Sequence, residues 1–461
     1  MSHLIRTFLA TFLFLGTAPA VAQADERSAL QLRVLYCGNP GSEREADFVK
    51  LLSDHDIKVS TGDIRGFDET KVKNFDVAIF DWTLRYDGKG SPDKSKWKVD
   101  VQKLTEDFAC PAILISAVGL DAAAQSQTKF EKLCLCLTNQ AYKPKLEHEV
   151  FHRPLNVAPE LTQEPTPWDA KYTIVEDAVL GDTISVWKIQ TKDYPEIDPG
   201  QACDSYGFED SPDCEIVSLG ISDKGLESLA IARQNNFLFW GFSGSPLDMT
   251  PSGQRLFINA VAYISKFRNS GKRLTWQARS RLWALRYART PLFCSDEYAH
   301  GLRVQYEAMF AEHPEWIPDE FNRDSTPYIE KLVENNRKGN ESLLSVFFPA
   351  DLREQFGNDA SKYEAFYREN LPYLRLIDDK FVVDEDVARL GIANNDTIII
   401  ERCIAMLDRP NESEMARRIL KRYTTENFDS TAKWQGWFDD NRSQLYFSDI
   451  GGFKFFVRSA R

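Results

Sequence analysis

Short, mainly apolar runs that alternate with amphipathic stretches dominate the first half of the chain. Residues 32–36 form one such run, which stops at Cys37 and a turn cluster of Gly38, Asn39, Pro40 and Gly41. Residues 43–54 then carry Ala46, Val49, Leu51 and Leu52 at helical spacing. Residues 57–61, 77–80 and 112–115 read as further strands, and 99–108 as a helix. Strands that are apolar throughout and separated by helices imply a parallel sheet covered on both faces. The expected fold class is α/β: a flavodoxin-like, mostly parallel sheet with helices on both faces, followed by a mainly helical C-terminal domain.

Farther along, 172–175, 184–191 and 216–219 read as strands of more antiparallel character, and 237–242 as one more apolar strand. Thr250 fits a helix N-cap with Pro251 at the first helical position. Leu256, Ile258, Ala260, Val261, Tyr263 and Ile264 are its expected buried side. At 461 residues the chain exceeds what one hydrophobic core holds, about 250–300 residues. The polar joint 269–272 marks the boundary. Beyond it, 298–310, 328–336, 362–370, 397–407 and 412–423 fit amphipathic helices, and 445–447 with 454–457 a hairpin around Gly451-Gly452.

Residues 1–22 read as a signal peptide. Arg6 supplies the positive region, 7–16 the apolar region, and Ala20, Val21 and Ala22 a cleavage site before Gln23. A periplasmic or extracellular location is expected, with no membrane span after cleavage. The mature domains are then 23–268 and 269–461. A net charge of -13 argues against nucleic acid and anionic membrane as partners. Hydrophobic residues at 43% and charged residues at 27% fit a folded protein.

An oxidising compartment permits disulfides, and among eight cysteines Cys203 with Cys214 is the best local pair, closing a loop rich in Gly, Pro and Asp. Cys134 and Cys136 share one face of a strand, an arrangement that does not favour a bridge. No second C-x-C or C-x-x-C completes a zinc set. No metal and no cofactor is implied.

In an open parallel sheet, ligands bind beyond the carboxyl ends of the strands. That nominates 38–41, Asp81 with Trp82, Ser116, and the 241–245 loop with Ser243. Ser116 follows an apolar strand where nucleophile elbows sit, although Leu114 and Val118 occupy the positions that such an elbow keeps small. His148-Glu149-Val150-Phe151-His152 spells H-E-x-x-H, whose zinc chemistry needs a helix to align both imidazoles. Pro144 and Pro154 deny it that helix, so an extended loop carrying His148 and His152 is expected. The acidic stretch 209–213 lacks the spacing of a calcium loop and reads as a solvated turn. Trp434 with Trp437, and Phe453 with Phe455 and Phe456, read as core.

Three segments carry a family resemblance: 34–82, 148–155, and Phe239-Trp240-Gly241-Phe242-Ser243-Gly244-Ser245-Pro246 on to Tyr263. They resemble the class I glutamine-amidotransferase-like superfamily and, within it, the ThuA-like branch named for trehalose utilisation. The resemblance covers about residues 30–268. It implies a flavodoxin-like sheet. Amidotransferase members use a Cys-His-Glu triad with a glycine-flanked cysteine. Here Ser116 stands near the nucleophile position without the preceding glycine, and no downstream His-x-Glu pair follows, so glutamine hydrolysis is not expected. ThuA-like proteins are associated with carbohydrate metabolism and carry a histidine in a segment like that of His148, which makes His148 the implied cleft residue. The expected function is binding of a carbohydrate or a protein partner. The alternative is a sugar-processing isomerase or hydrolase that uses His148 and a carboxylate such as Asp81.

Overall fold

The computed structural model describes residues 30–82, 99–173, 180–194, 196–223, 225–276 and 278–458. The leader expected in 1–22 lies outside them. The first half contains β1 (Arg33–Gly38), α1 (Glu43–Ser53), β2 (Lys58–Asp63), β3 (Val77–Phe80), β4 (Ala112–Ile115), α2 (Ser116–Ala122), β5 (Lys132–Tyr142), β6 (Leu161–Pro165) and α3 (Ala170–Thr173). It continues with β7 (Thr183–Lys188), β8 (Gly200–Cys203), β9 (Cys214–Ser222), β10 (Gly225–Gln234), β11 (Phe237–Trp240) and α4 (Pro251–Ile264).

Five strands in the order β2-β1-β3-β4-β11 pair in parallel. That is the flavodoxin order, and the expected fold class holds. Alternation along each strand divides the core. Val34, Tyr36, Ile79, Ile113 and Trp240 face α1 and α4, against Phe48, Leu52, Phe257 and Val261. Leu35, Ala78, Phe80, Leu114 and Phe239 face the other way, against Leu104, Phe108, Val118 and Leu120. Thr250 caps α4 by accepting from the Gly253 amide at 3.1 Å, as the sequence led one to expect, and Ser42 caps α1 by accepting from the Glu45 amide at 3.1 Å.

Beyond β11 the sheet turns antiparallel. β10 pairs with β11, β8 and β9, and β5 pairs with β7, β8 and β9. Three expectations need correction. Residues 99–108 are not helical: the Leu104 amide donates to Ala122 O at 2.8 Å and Gln102 to Ile64 O at 3.3 Å, so neighbouring segments take the backbone bonds a helix would make. The apolar spacing there was packing, since Val101, Leu104 and Phe108 are buried. Of the strand expected at 172–175, residues 174 and 175 lie outside the described residues, and residues 170–173 form one helical turn, with Tyr172 among Trp168, Phe293 and Tyr298.

The third correction concerns the cysteines. Cys203 and Cys214 are free thiols. Cys203 pairs with Leu229 and Cys214 with Gln234, five residue steps along β10 and so about 16 Å of strand apart, too far for a bridge. Cys134 and Cys136 form the disulfide instead, with Cα atoms 5.3 Å apart and register irregularities on both sides in β5.

The C-terminal region is mainly helical. It contains α5 (Leu282–Tyr287), α6 (Asp296–Glu312), α7 (Ser325–Phe347), α8 (Ala350–Phe356) and α9 (Ala360–Asn370). Then come the hairpin β12 (Leu374–Ile377) and β13 (Lys380–Val383), α10 (Glu385–Leu390), α11 (Ile398–Met406), α12 (Ser413–Tyr423) and α13 (Thr431–Asn441). A second hairpin, β14 (Leu445–Ser448) and β15 (Lys454–Val457), ends it. Tyr363, Tyr367, Ile400, Cys403, Leu420 and Trp434 belong to its core. Asp210 ties it to the sheet domain by accepting from Ser448 Oγ and the Asp449 and Ile450 amides. No helix among the described residues is long and apolar enough to cross a membrane.

Candidate functional site

β1, β3, β4 and β11 are neighbours, so the segments beyond their carboxyl ends share one rim. Asp81, Trp82, Ser116 and Ser243 all lie there. Asp81 is fully buried. Its carboxylate accepts from Tyr36 Oη at 2.5 Å and from Arg44 Nε and Nη2 at 2.6 and 2.9 Å. The third guanidinium nitrogen of Arg44 donates to Ser243 O at 2.6 Å and so reaches across the rim. Burial and then the adjacent Asp81 charge push the Tyr36 phenol well above its ordinary value. For Arg44, burial pulls down, but the Asp81 carboxylate outweighs it and the guanidinium stays charged. Trp82 is half-buried, with the Arg65 guanidinium 5.2 Å from its ring. Ser243 Oγ donates to Asp198 O, and Gln190 Oε1 accepts from the Gly244 amide at 2.8 Å. Arg44 and Tyr36 went unnoticed in the sequence. A basic residue in the first turn of a helix after a Gly-rich loop was the available signal.

Ser116 has φ +51°, left-handed backbone that a residue with a side chain rarely adopts. It follows Ile115 directly and opens α2, so the strand–turn–helix geometry of an elbow is present. The close approach falls at Gly119. A Cβ there would stand 2.7 Å from the Leu114 carbonyl carbon and 2.8 Å from Phe80 O. Among the described residues no group hydrogen-bonds the Ser116 hydroxyl, and no imidazole is placed to activate it.

His148 lies at the other edge of the sheet. β9 and β10 carry Glu215 opposite Arg233, and Arg233 stands opposite Leu238 near the start of β11. His148 begins a three-residue 3-10 turn (Glu149–Phe151), not the helix that H-E-x-x-H needs for zinc. Its Nδ1 accepts from the Val150 amide at 3.2 Å, which leaves the proton on Nε2, 3.6 Å from Glu215 Oε2. The ring meets Tyr263 edge-on at 5.0 Å. Glu215 also accepts from Arg233 Nε at 2.7 Å and Tyr263 Oη at 2.5 Å. Burial raises the Glu215 carboxyl, but His148, Arg233 and Tyr263 together hold it far below its ordinary value. His152 is exposed. α4 runs from the rim at Pro251 to Ile264 beside Tyr263, 14 residues or about 20 Å of helix. Asp81 and Ser116 are therefore brought together, and His148 is not.

Among the described residues no group of three or more His, Cys, Asp or Glu is placed to hold a metal ion. The acidic stretch 209–213 is a docking element: Asp213 accepts from the Leu274 amide at 2.8 Å and from Ser211 Oγ at 2.6 Å. Trp434 is buried, as expected of core.

No family model matches the sequence. A search of curated proteins finds no match. Among solved structures, the chain is similar to a GMP synthase component from Thermoplasma acidophilum. They share 12% identity at a TM-score of 0.29, over 51% of this chain and 96% of that one.

Proposed function

We propose that the protein is an exported binding scaffold rather than an enzyme. In this reading it is a ThuA-like domain without the amidotransferase triad that holds a carbohydrate or a protein partner. One observation carries the reading: Ser116 and His148 lie at opposite edges of the sheet, with the length of α4 between them. Acyl transfer needs a base within hydrogen-bond reach of the nucleophile, and the Ser116 hydroxyl has none among the described residues. Asp81 is committed to Arg44 and Tyr36. Of the two ligand classes, the ThuA-like resemblance favours carbohydrate. The test is a panel of neutral and acidic mono- and disaccharides, followed by calorimetry and by product analysis. Heat of binding without product supports the reading; product formation that Ser116→Ala or His148→Ala abolishes overturns it.

A second reading rests on His148 having a carboxylate beside it, Glu215 and not Asp81. A sugar-processing enzyme at the amino edge would use that pair. Loss of turnover in both His148→Ala and Glu215→Gln, with binding retained, is what it requires.

A further inference from the structure

β5 brings two cysteines closer together than a regular strand allows. Its register against β8 runs Lys132 with Cys203, Cys134 with Ala202, Leu135 with Gln201 and Leu137 with Gly200. Leu133 and Cys136 fall between those pairs, so each is the extra residue of a bulge. Positions two apart on a regular strand stand about 6.5 Å from each other. Cys134 and Cys136, bridged as a disulfide, have Cα atoms 5.3 Å apart, and the bulge at Cys136 supplies the shortening. Gln201 Nε2 steadies Cys134 from the neighbouring strand by donating to its carbonyl at 3.0 Å. Both cysteines are half-buried, and Glu131, Lys132 and Leu133 just before them are exposed. The bridge therefore lies where the strand comes to the surface.

A bridge across a sequence separation of 2 is a poor staple, because the stabilisation a disulfide gives grows with the length of chain it closes. Its setting suits chemistry instead: bulges re-aim side chains beside reactive sites, and accessible bridges are the ones that exchange. We propose that Cys134 and Cys136 form a thiol–disulfide exchange site that oxidises the thiols of a second molecule. A thiolate of that molecule attacks one bridge sulfur, and the other leaves as a thiolate that takes up a proton. A second thiol then attacks the mixed disulfide, so the second molecule departs as a disulfide and Cys134 and Cys136 are left as two thiols. Two electrons and two protons pass to the pair. The thiols come from outside, because the pair packs on the α1 and α4 side of the sheet, whereas Cys37, Cys110, Cys203 and Cys214 belong to the opposite layer. Burial raises all six free thiols above their ordinary value, which keeps them protonated and out of the exchange. The exchange site does not depend on the carbohydrate reading.

The test is alkylation of the native, air-oxidised full chain followed by peptide mass analysis, with reduced glutathione as the thiol. Glutathione leaves ordinary structural disulfides intact, so it separates an exchanging bridge from a staple. Cys134 and Cys136 are expected to be unlabelled before treatment and both labelled after it, with the other six cysteines unlabelled throughout. Cys136→Ala, given oxidised glutathione, is expected to carry one glutathione on Cys134 as a mixed disulfide. The double variant Cys134→Ala, Cys136→Ala is expected to melt at nearly the temperature of the unsubstituted protein, because so short a closure stabilises the fold little. A bridge that stays closed in glutathione until urea unfolds the chain overturns the proposal. So does a pair already labelled before treatment, a Cys136→Ala chain that takes up no glutathione, or a double variant that has lost its fold.

Discussion

Arg44 and Asp81 form a 2.6 Å ion pair beneath the carboxyl rim of the sheet, where a flavodoxin-like fold ordinarily receives its ligand. The guanidinium continues to Ser243 O, so one side chain joins the ends of β1, β3 and β11. A charge pair with Asp81 fully buried and Arg44 11% exposed has lost most of its hydration, and its partners cannot be separated cheaply.

Removing one partner should therefore cost far more than removing both. Asp81→Ala leaves the Arg44 charge without its counter-ion and the Tyr36 hydroxyl without an acceptor, and a loss of roughly 3–5 kcal/mol is expected. The double variant Arg44→Met, Asp81→Leu should recover much of that loss. Urea denaturation of the three proteins checks it; single and double variants equally destabilised would mean that the pair is not coupled.

At the neighbouring strand end, Ser116 occupies left-handed backbone at φ +51°. Ser116→Gly is expected to leave stability unchanged or raise it by up to about 1 kcal/mol, because glycine adopts that backbone without strain. Ser116→Val should lower it, the branched side chain being least compatible. Gly119→Ala is the companion: its Cβ would meet backbone at 2.7 Å, and a loss of about 1–3 kcal/mol is expected. Thermal melts of all three variants decide the matter.

The inner strands of the parallel half, β1, β3, β4 and β11, were legible because they are buried on both faces and so read as mainly apolar runs. Of β5 only the part around Cys134 and Cys136 was read as strand, and β10 escaped notice, for the converse reason. Lys132, Asn139, Glu227 and Arg233 interrupt them with polar groups that only the pairing of strands explains. The rim was legible as a place, since the rule about strand ends needs only strand order. Its chemistry was not, because Arg44 and Tyr36 come from other elements and meet Asp81 only in three dimensions. His148 was nominated from resemblance, and its true neighbours Glu215, Arg233 and Tyr263 are 67, 85 and 115 positions farther along the chain, beyond any local pattern.

That cluster makes an acid-sensitivity prediction. The folded-state carboxyl of Glu215 titrates below its ordinary value of 4.5. A depressed carboxyl contributes stability that is present above pH 4.5 and lost as the pH falls toward the folded value. Melting temperature should therefore decline below about pH 4.5, and Glu215→Gln should flatten part of that decline while lowering stability at neutral pH. The side chain is 36% exposed, so water screens the contribution and the change is a modest one. An identical acid slope in the variant would remove Glu215 as its source.

Asp210 offers the last test, on the attachment of the helical region. Its carboxylate accepts from Ser448 Oγ at the end of β14 and from the Asp449 and Ile450 amides in the turn that follows. Asp449 in turn holds Arg281 at 2.6 Å, next to the chain that leads into α5. Asp210→Ala strands two backbone donors, at roughly 1–3 kcal/mol for each that stays dry, while the two cores lie elsewhere and keep their packing. The expected result is local release: faster proteolysis within residues 269–280 at an almost unchanged melting temperature for the sheet domain. If cleavage there stays as slow as in the unsubstituted chain, the attachment depends instead on contacts such as Arg286 with Glu227, and Glu227→Ala becomes the variant that should open it.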